Sequence, residues 1–123
     1  MVSGIGRLLS ADCNRSLFAG LPDCLESMTY QLAVTVYKNA RGLSLPYHLK
    51  EQLLRASCSV VLNLAEGRGR STNKDQKRFF QIAFGSIREV QAIFDLSDNL
   101  PNELKINLDY LAASTYKLIK SIP

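Results

Sequence analysis

The sequence contains little of what most enzymes and secreted domains are built from. Its 123 residues include no tryptophan, one histidine (His48) and no dense group of Asp, Glu, His and Cys side chains. Neither a metal site nor familiar acid–base catalysis is therefore expected. The cysteines are Cys13, Cys24 and Cys58. Their odd number and wide spacing match neither a disulfide framework nor a CxxC pair, which indicates a reducing compartment. We expect no catalytic residue, no metal and no cofactor.

Long apolar runs are also missing. Polar residues interrupt the first twenty residues before the core of a signal peptide could form. No stretch approaches the roughly 18 apolar residues of a membrane helix. The composition, 46% hydrophobic and 21% charged, is that of an ordinary globular chain, and the length allows one core but not two. We expect a cytoplasmic protein without a membrane partner, with a poorly ordered arm over residues 1–20 and one domain over residues 21–123.

Apolar residues recur at three- and four-residue steps in four segments, and no segment has the pattern of a strand. The first predicted helix follows Asp23 and ends near residue 42, and the others cover residues 47–68, 73–97 and 104–122. Asp23, with Glu26 three positions later, is expected to cap the first helix, and Ser44 is expected to cap the second, with Pro46 in its first turn. Loops of about four to six residues connect antiparallel neighbours, so the sequence predicts an all-α, up-down-up-down four-helix bundle.

Two of these helices are more apolar than one small bundle requires. Residues 58–65 are apolar nearly all the way round the second helix, and the third helix carries two apolar stripes. A surface helix of a small monomer needs only one such stripe. Two buried faces on one helix indicate that the second face packs against another subunit, so we expect a homo-oligomer.

The net charge of +4 is unevenly distributed. Residues 50–90 contain eight basic and four acidic side chains, and the two flanks cancel each other. The excess is concentrated where the second and third helices are connected. The candidate nucleic-acid-binding residues there are Arg68, Arg70, Lys74, Lys77 and Arg78. Such a cluster can bind phosphates by counterion release, although it is also typical of a solvated loop. No aromatic residue interleaves it before Phe79 and Phe80, so base stacking has little support.

Polar residues also lie within the apolar part of the second helix. Asn63 can reach the third helix, and Glu66 can pair with Arg70 four residues later. A hairpin folded about residues 70–71 would bring Ser59 opposite Ile82. The predicted structural polar network consists of Asn63, Glu66, Arg70 and Ser86. The alternative is a ligand or catalytic role for Glu66.

The segment from about residue 52 to residue 90 is similar to a known family. It reads RASCSVVLNLAEGRGR from Arg55 to Arg70 and KDQKRFFQIAFGSIREV from Lys74 to Val90. These runs resemble the Asn-Ile/Leu-Ala-Glu-Gly-x-Gly-Arg and Ile-Ala-x-Gly-Ser-x-x-Glu motifs of the "four helix bundle protein" family, also called the 23S rRNA intervening-sequence or S23 family. The resemblance covers roughly residues 21–121. Many members carry proline where this chain has Val61, so their kink in the second helix is not expected here.

The resemblance implies a left-handed four-helix bundle that assembles into a ring-shaped homo-oligomer, commonly a pentamer. It also implies a cytoplasmic bacterial protein without known enzymatic activity. A relative is the accessory protein of diversity-generating retroelements, whose basic pentamer binds RNA and a reverse transcriptase. We therefore expect a non-enzymatic oligomer that binds RNA or DNA or acts as a scaffold, with a reverse transcriptase as a further candidate partner. The alternatives are a pure protein–protein interaction module and an enzyme that uses Glu66, His48 or a thiol.

Overall fold

The computed structural model describes residues 22–123, so the predicted arm of residues 1–20 lies outside the described residues. Four helices and no strand make up the described part of the chain. They are α1 (Pro22–Arg41), α2 (Tyr47–Arg68), α3 (Asn73–Asp95) and α4 (Asn102–Ser121). The prediction of an all-α four-helix bundle is confirmed, and the bounds of α2 are those expected from the sequence.

The first two helices begin differently from the prediction. α1 begins at Pro22, so Asp23 lies inside the helix rather than before it. A proline suits this first position because it has no N–H to leave unpaired. α2 begins directly after Pro46, and no side chain caps its first turn. The prediction of Ser44 as a cap is therefore wrong, because Pro46 already sets the backbone at the start of α2. The side chain of Asp23, the predicted cap of the first helix, lies outside the described residues.

A lysine connects the end of α1 to α2. The ammonium group of Lys50 donates hydrogen bonds to the backbone carbonyl oxygens of Arg41, at 2.9 Å, and Leu43. Carbonyl groups at a helix C-terminus have no partner within the helix, and a cation there also opposes the negative end of the helix dipole. The side chain of Lys50, near the start of α2, thus caps the C-terminus of α1.

α3 has the start that its sequence predicts. The hydroxyl oxygen of Thr72 accepts a hydrogen bond from the backbone N–H of Asp75 at 3.2 Å, which is the usual N-cap contact. α3 ends at Asp95, two residues earlier than predicted. In the following turn Asn99 has a φ of 59°, a left-handed conformation that asparagine tolerates better than most residues.

The core runs along the whole bundle. Each helix packs mainly against two others, with α1 and α3 both in contact with α2 and α4. The largest fully buried side chains are Phe80, Leu32, Leu53, Leu64, Ile87, Leu111 and Leu118. Polar groups are buried as well: the hydroxyls of Thr29 and Ser114 bond to each other between α1 and α4. The side-chain nitrogen of Asn107 is buried without a partner among the described residues.

Part of the apolar surface remains outside this core. Leu62 on α2 is 61% exposed and Ile82 on α3 is 43% exposed, and both belong to the second faces that the sequence marked as apolar. On α4, Ile106 and Tyr110 are also about half exposed. None of the helices α1 to α4 is long and apolar enough to cross a membrane.

Candidate nucleic-acid interface

The five predicted basic residues lie together at one end of the bundle. Arg68 is the last residue of α2, Arg70 belongs to the connection, and Lys74, Lys77 and Arg78 occupy the first two turns of α3. Lys77 is half-buried, and the other four are exposed. The cluster is thus on the surface, at the tip of the α2–α3 pair.

The three arginines of the tip have carboxylate partners. Arg68 lies 3.7 Å from Glu26 of α1, Arg70 lies 2.5 Å from Glu66, and Arg78 lies 3.5 Å from Asp75. These pairs are at least partly exposed, so each contributes at most about 1 kcal/mol to stability. The pairs nevertheless neutralise much of the local arginine charge.

The two lysines differ from the arginines. Within residues 22–123 neither Lys74 nor Lys77 has an ion-pair partner. Both line a shallow depression of about 560 Å³ beside the first turns of α3. Its other lining residues are Asn73, Asp75, Arg78, Gln81 and Pro123. Of the five basic residues of the tip, the two without an ion-pair partner within residues 22–123 thus lie together at this depression.

Two arginine side chains lie over the ring of Phe79 in α3. The guanidinium carbon of Arg70 is 4.6 Å from the centre of the Phe79 ring, and that of Arg78 is 4.4 Å from it. Both distances are well within the range of a cation–π interaction. Sequence reasoning gave base stacking little support here, because it placed Phe79 after the basic cluster; the fold places Phe79 within it.

The predicted polar network is divided into two parts. Asn63 donates to the backbone oxygen of Ser59 at 2.8 Å and to its hydroxyl at 3.1 Å, and that hydroxyl lies 2.9 Å from the hydroxyl of Ser86 on α3. Asn63 therefore reaches α3 only through Ser59. Glu66 and Arg70 bond to each other, and no hydrogen bond within residues 22–123 joins them to Asn63, Ser59 or Ser86. The first part joins two helices, whereas the second lies on the exposed tip.

The register of α2 against α3 differs from the prediction. Ser59 lies opposite Ser86, one helical turn away from the predicted Ile82, which is exposed. The physical reason is a close contact near the tip. A Cβ atom added to Gly67 would lie 2.6 Å from a carbon of the Phe80 ring, so the ring occupies the space that only glycine leaves. This fit, rather than the midpoint of the loop, sets the register.

Sequence reasoning missed two residues that join three helices near the tip. The side-chain amide of Gln76 donates to the backbone oxygen of Gly67 at 3.2 Å and to the carboxylate of Glu26 at 3.4 Å. Glu26 was interpreted only as part of a cap for α1. Glu26 lies on the face of α1 that points toward α2, one turn from the buried Thr29. This position could have indicated a contact with another helix.

The residues of the alternative enzyme hypothesis are not brought together. His48 is exposed in the first turn of α2, at the other end of that helix from Glu66. Cys58 is half-buried with a free thiol. Among the residues that the structure describes, no group of three or more His, Cys, Asp and Glu side chains could hold a metal ion.

A comparison with family models decides the family. The model of the 23S rRNA-intervening sequence protein family matches residues 26–122, which is most of the chain and includes nearly all of the four helices. The chain belongs to the 23S rRNA-intervening sequence protein family. No curated protein and no solved structure matches it significantly. The resemblance inferred from residues 55–70 and 74–90 is confirmed, and both family motifs lie on the paired helices α2 and α3.

Proposed function

We propose that this member of the 23S rRNA-intervening sequence protein family is a non-enzymatic, nucleic-acid-binding subunit of a cytoplasmic homo-oligomer. The observation that carries the proposal is the basic tip of the α2–α3 pair, where Lys74 and Lys77 line a depression without a carboxylate partner among residues 22–123. Cations placed on phosphates release condensed counterions, which favours binding.

A salt titration tests the nucleic-acid part. The double variant Lys74→Ala with Lys77→Ala should weaken RNA binding, and the slope of log K against log salt should become shallower by about 1.4 for a single strand. The matched control is Lys38→Ala with Lys105→Ala, which removes the same charge from exposed positions on α1 and α4. Absence of binding at low salt, or equal slopes for the two double variants, would overturn the proposal.

The helix order up-down-up-down is part of the proposal. Contacts between neighbouring helices support it. Along α2 the partners on α3 run backwards, from Ser59 with Ser86 to Gly67 with Phe80. Between α1 and α2, Glu26 lies near Arg68, whereas Lys50 bonds to Arg41. Both pairs of helices thus have the pattern of antiparallel neighbours.

Self-association is supported by two apolar faces on opposite sides of the bundle. The α2–α3 face contains the exposed side chains of Leu62 and Ile82. The α1–α4 face contains Tyr110 and Ile106, beside a small apolar depression lined by Leu25 and other residues of both helices. We propose that one face of each copy packs on the other face of the next. A contact between unlike faces produces rings when the rotation closes, which is compatible with a pentamer.

A second candidate function is protein binding without nucleic acid. The observation that favours it is the pairing of Arg68, Arg70 and Arg78 with carboxylates, which reduces the charge available to phosphates. A protein partner such as a reverse transcriptase would then bind the bundle surface. Recovery of that partner in a pull-down after nuclease treatment, together with no RNA binding by the purified protein, would favour this candidate.

A further inference from the structure

Phe79 is the centre of a stack of planar side chains. The guanidinium groups of Arg70 and Arg78 lie over its ring, with their central carbons 4.6 and 4.4 Å from the ring centre. Arg70 comes from the connection after α2, and Arg78 comes from α3. The ring is half-buried, and the two arginine side chains are exposed. The tip therefore presents planar groups to solvent, in addition to charge.

Each guanidinium group is fixed from a second direction. Glu66 holds Arg70 and Asp75 holds Arg78, in both cases through one turn of chain. A carboxylate bonds to the edge of a guanidinium group and leaves its flat faces available. These contacts reduce the net charge of the stack and keep each guanidinium group close to a carboxylate of its own segment. Such a surface suits the stacking of nucleobases better than the attraction of phosphates alone.

The stack continues into the depression that holds the free lysines. Arg78 belongs to both, and Lys74 and Lys77 lie on the other side of it. The depression has a volume of about 560 Å³, and it also contains the side-chain amides of Asn73 and Gln81, which can donate to and accept from the edge of a base. Planar groups, cations and amides therefore lie within one continuous surface.

We propose that the Arg70–Phe79–Arg78 stack and the adjoining depression bind an unpaired stretch of RNA. The inference rests on the proposed nucleic-acid-binding function and specifies the form of nucleic acid. Bases stack on the guanidinium planes, and Lys74 and Lys77 contact the phosphates between them. Recognition of single-stranded RNA relies on stacking with aromatic rings and arginine planes, whereas a duplex keeps its bases stacked on one another.

Two RNA probes and one substitution test the inference in the full chain. The probes are a labelled twelve-nucleotide RNA strand and the same strand annealed to its complement, compared by fluorescence anisotropy at fixed salt. The unchanged protein should bind the single strand about tenfold more tightly than the duplex. Phe79→Leu should remove most of this preference while the salt dependence is retained, because no charge is lost. The matched control is Phe84→Leu, on the same helix and against Tyr116, which should leave both affinities within about twofold.

A second variant keeps the test valid if Phe79→Leu impairs folding. Arg78→Lys keeps the positive charge and removes the plane, and it should weaken single-strand binding several-fold with little effect on the duplex. Equal binding of strand and duplex, or unchanged affinity in both variants, overturns the inference and leaves the proposed function in place. No binding of either probe at low salt overturns the proposed function, and the inference with it.

Discussion

Two glycines in helix interiors have opposite surroundings, and their substitution should have opposite effects. A Cβ atom at Gly67 would lie 2.6 and 2.8 Å from two carbons of the buried Phe80 ring, whereas one at Gly85 would have no neighbour within 4 Å. We expect Gly67→Ala to destabilise the protein by about 1–3 kcal/mol through overpacking. Gly85→Ala should stabilise it by about 0.5–1 kcal/mol because alanine favours the helix.

Urea unfolding of the two alanine variants at equal protein concentration measures this difference. The midpoint should fall for Gly67→Ala and rise for Gly85→Ala. Each variant serves as the control for the other, since the chemical change is the same. A rise in both midpoints would mean that Phe80 moves away at little cost, and that the register of α2 against α3 has another origin.

At the scale of single helices, the start of α3 is the boundary that side-chain capping defines most clearly. Thr72 accepts from the backbone N–H of Asp75, and its loss leaves that donor without a protein partner. Thr72→Ala should therefore lower the free energy of unfolding by about 1 kcal/mol. Ser71→Ala, one residue earlier and also exposed, is the control and should have almost no effect. Chemical denaturation monitored by circular dichroism provides the comparison, and equal losses in both variants would contradict the assigned cap.

The elements were predictable from sequence to different degrees, and the reasons are physical. Apolar periodicity and a glycine-rich break predicted all four helices, and the bounds of α2 agree with the structure because strong local signals flank it. α2 ends at Arg68, between Gly67 and Gly69; Gly69 has an ordinary φ of −89°, and Gly67 accommodates a ring from another helix. Contacts between helices depend on residues far apart in sequence, and periodicity carries no information about them.

Prediction of the candidate site from the sequence was limited in the same way, because contacts between helices could not be predicted. Clustering of charge in the sequence identified all five basic residues of the tip, because their common location follows from one short connection. The carboxylate partner that Arg68 finds on α1 and the ring beneath Arg70 required the packed helices. From the sequence, only Arg70 was expected to have a carboxylate partner, and the other four cations were equivalent. The structure instead separates two lysines at a depression from three paired arginines.

At the scale of the whole molecule, contact between unlike faces gives a prediction that distinguishes it from a symmetric dimer. Leu62→Arg and Tyr110→Arg each place a charge on one of the two proposed faces, and both side chains are exposed in the subunit, so the fold should be retained. We expect each variant alone to be monomeric. A mixture of the two should form dimers, because one intact junction remains between a Leu62 variant and a Tyr110 variant.

Light scattering of each variant and of their equimolar mixture checks this prediction. Tyr116→Arg is the control, since Tyr116 is exposed on the side of α4 toward α3 and belongs to neither face. It should keep the mass of the unchanged protein. A mixture that stays monomeric would contradict a contact between unlike faces. A single variant that still dimerises alone would indicate a contact between like faces, and variants that keep the full mass would remove both faces from the interface.

The close contact between the Phe80 ring and Gly67 also limits how α3 can move along α2. If α3 slid along α2 by one turn toward the middle of that helix, about 5.4 Å, the ring would leave the space at Gly67 and meet the side chain of Asn63. The hydroxyl contact between Ser59 and Ser86 would break in the same movement. A slide of α3 along α2 would therefore lose both the fit of the ring against Gly67 and this hydrogen bond, so we expect the two helices to move as one unit at the basic tip.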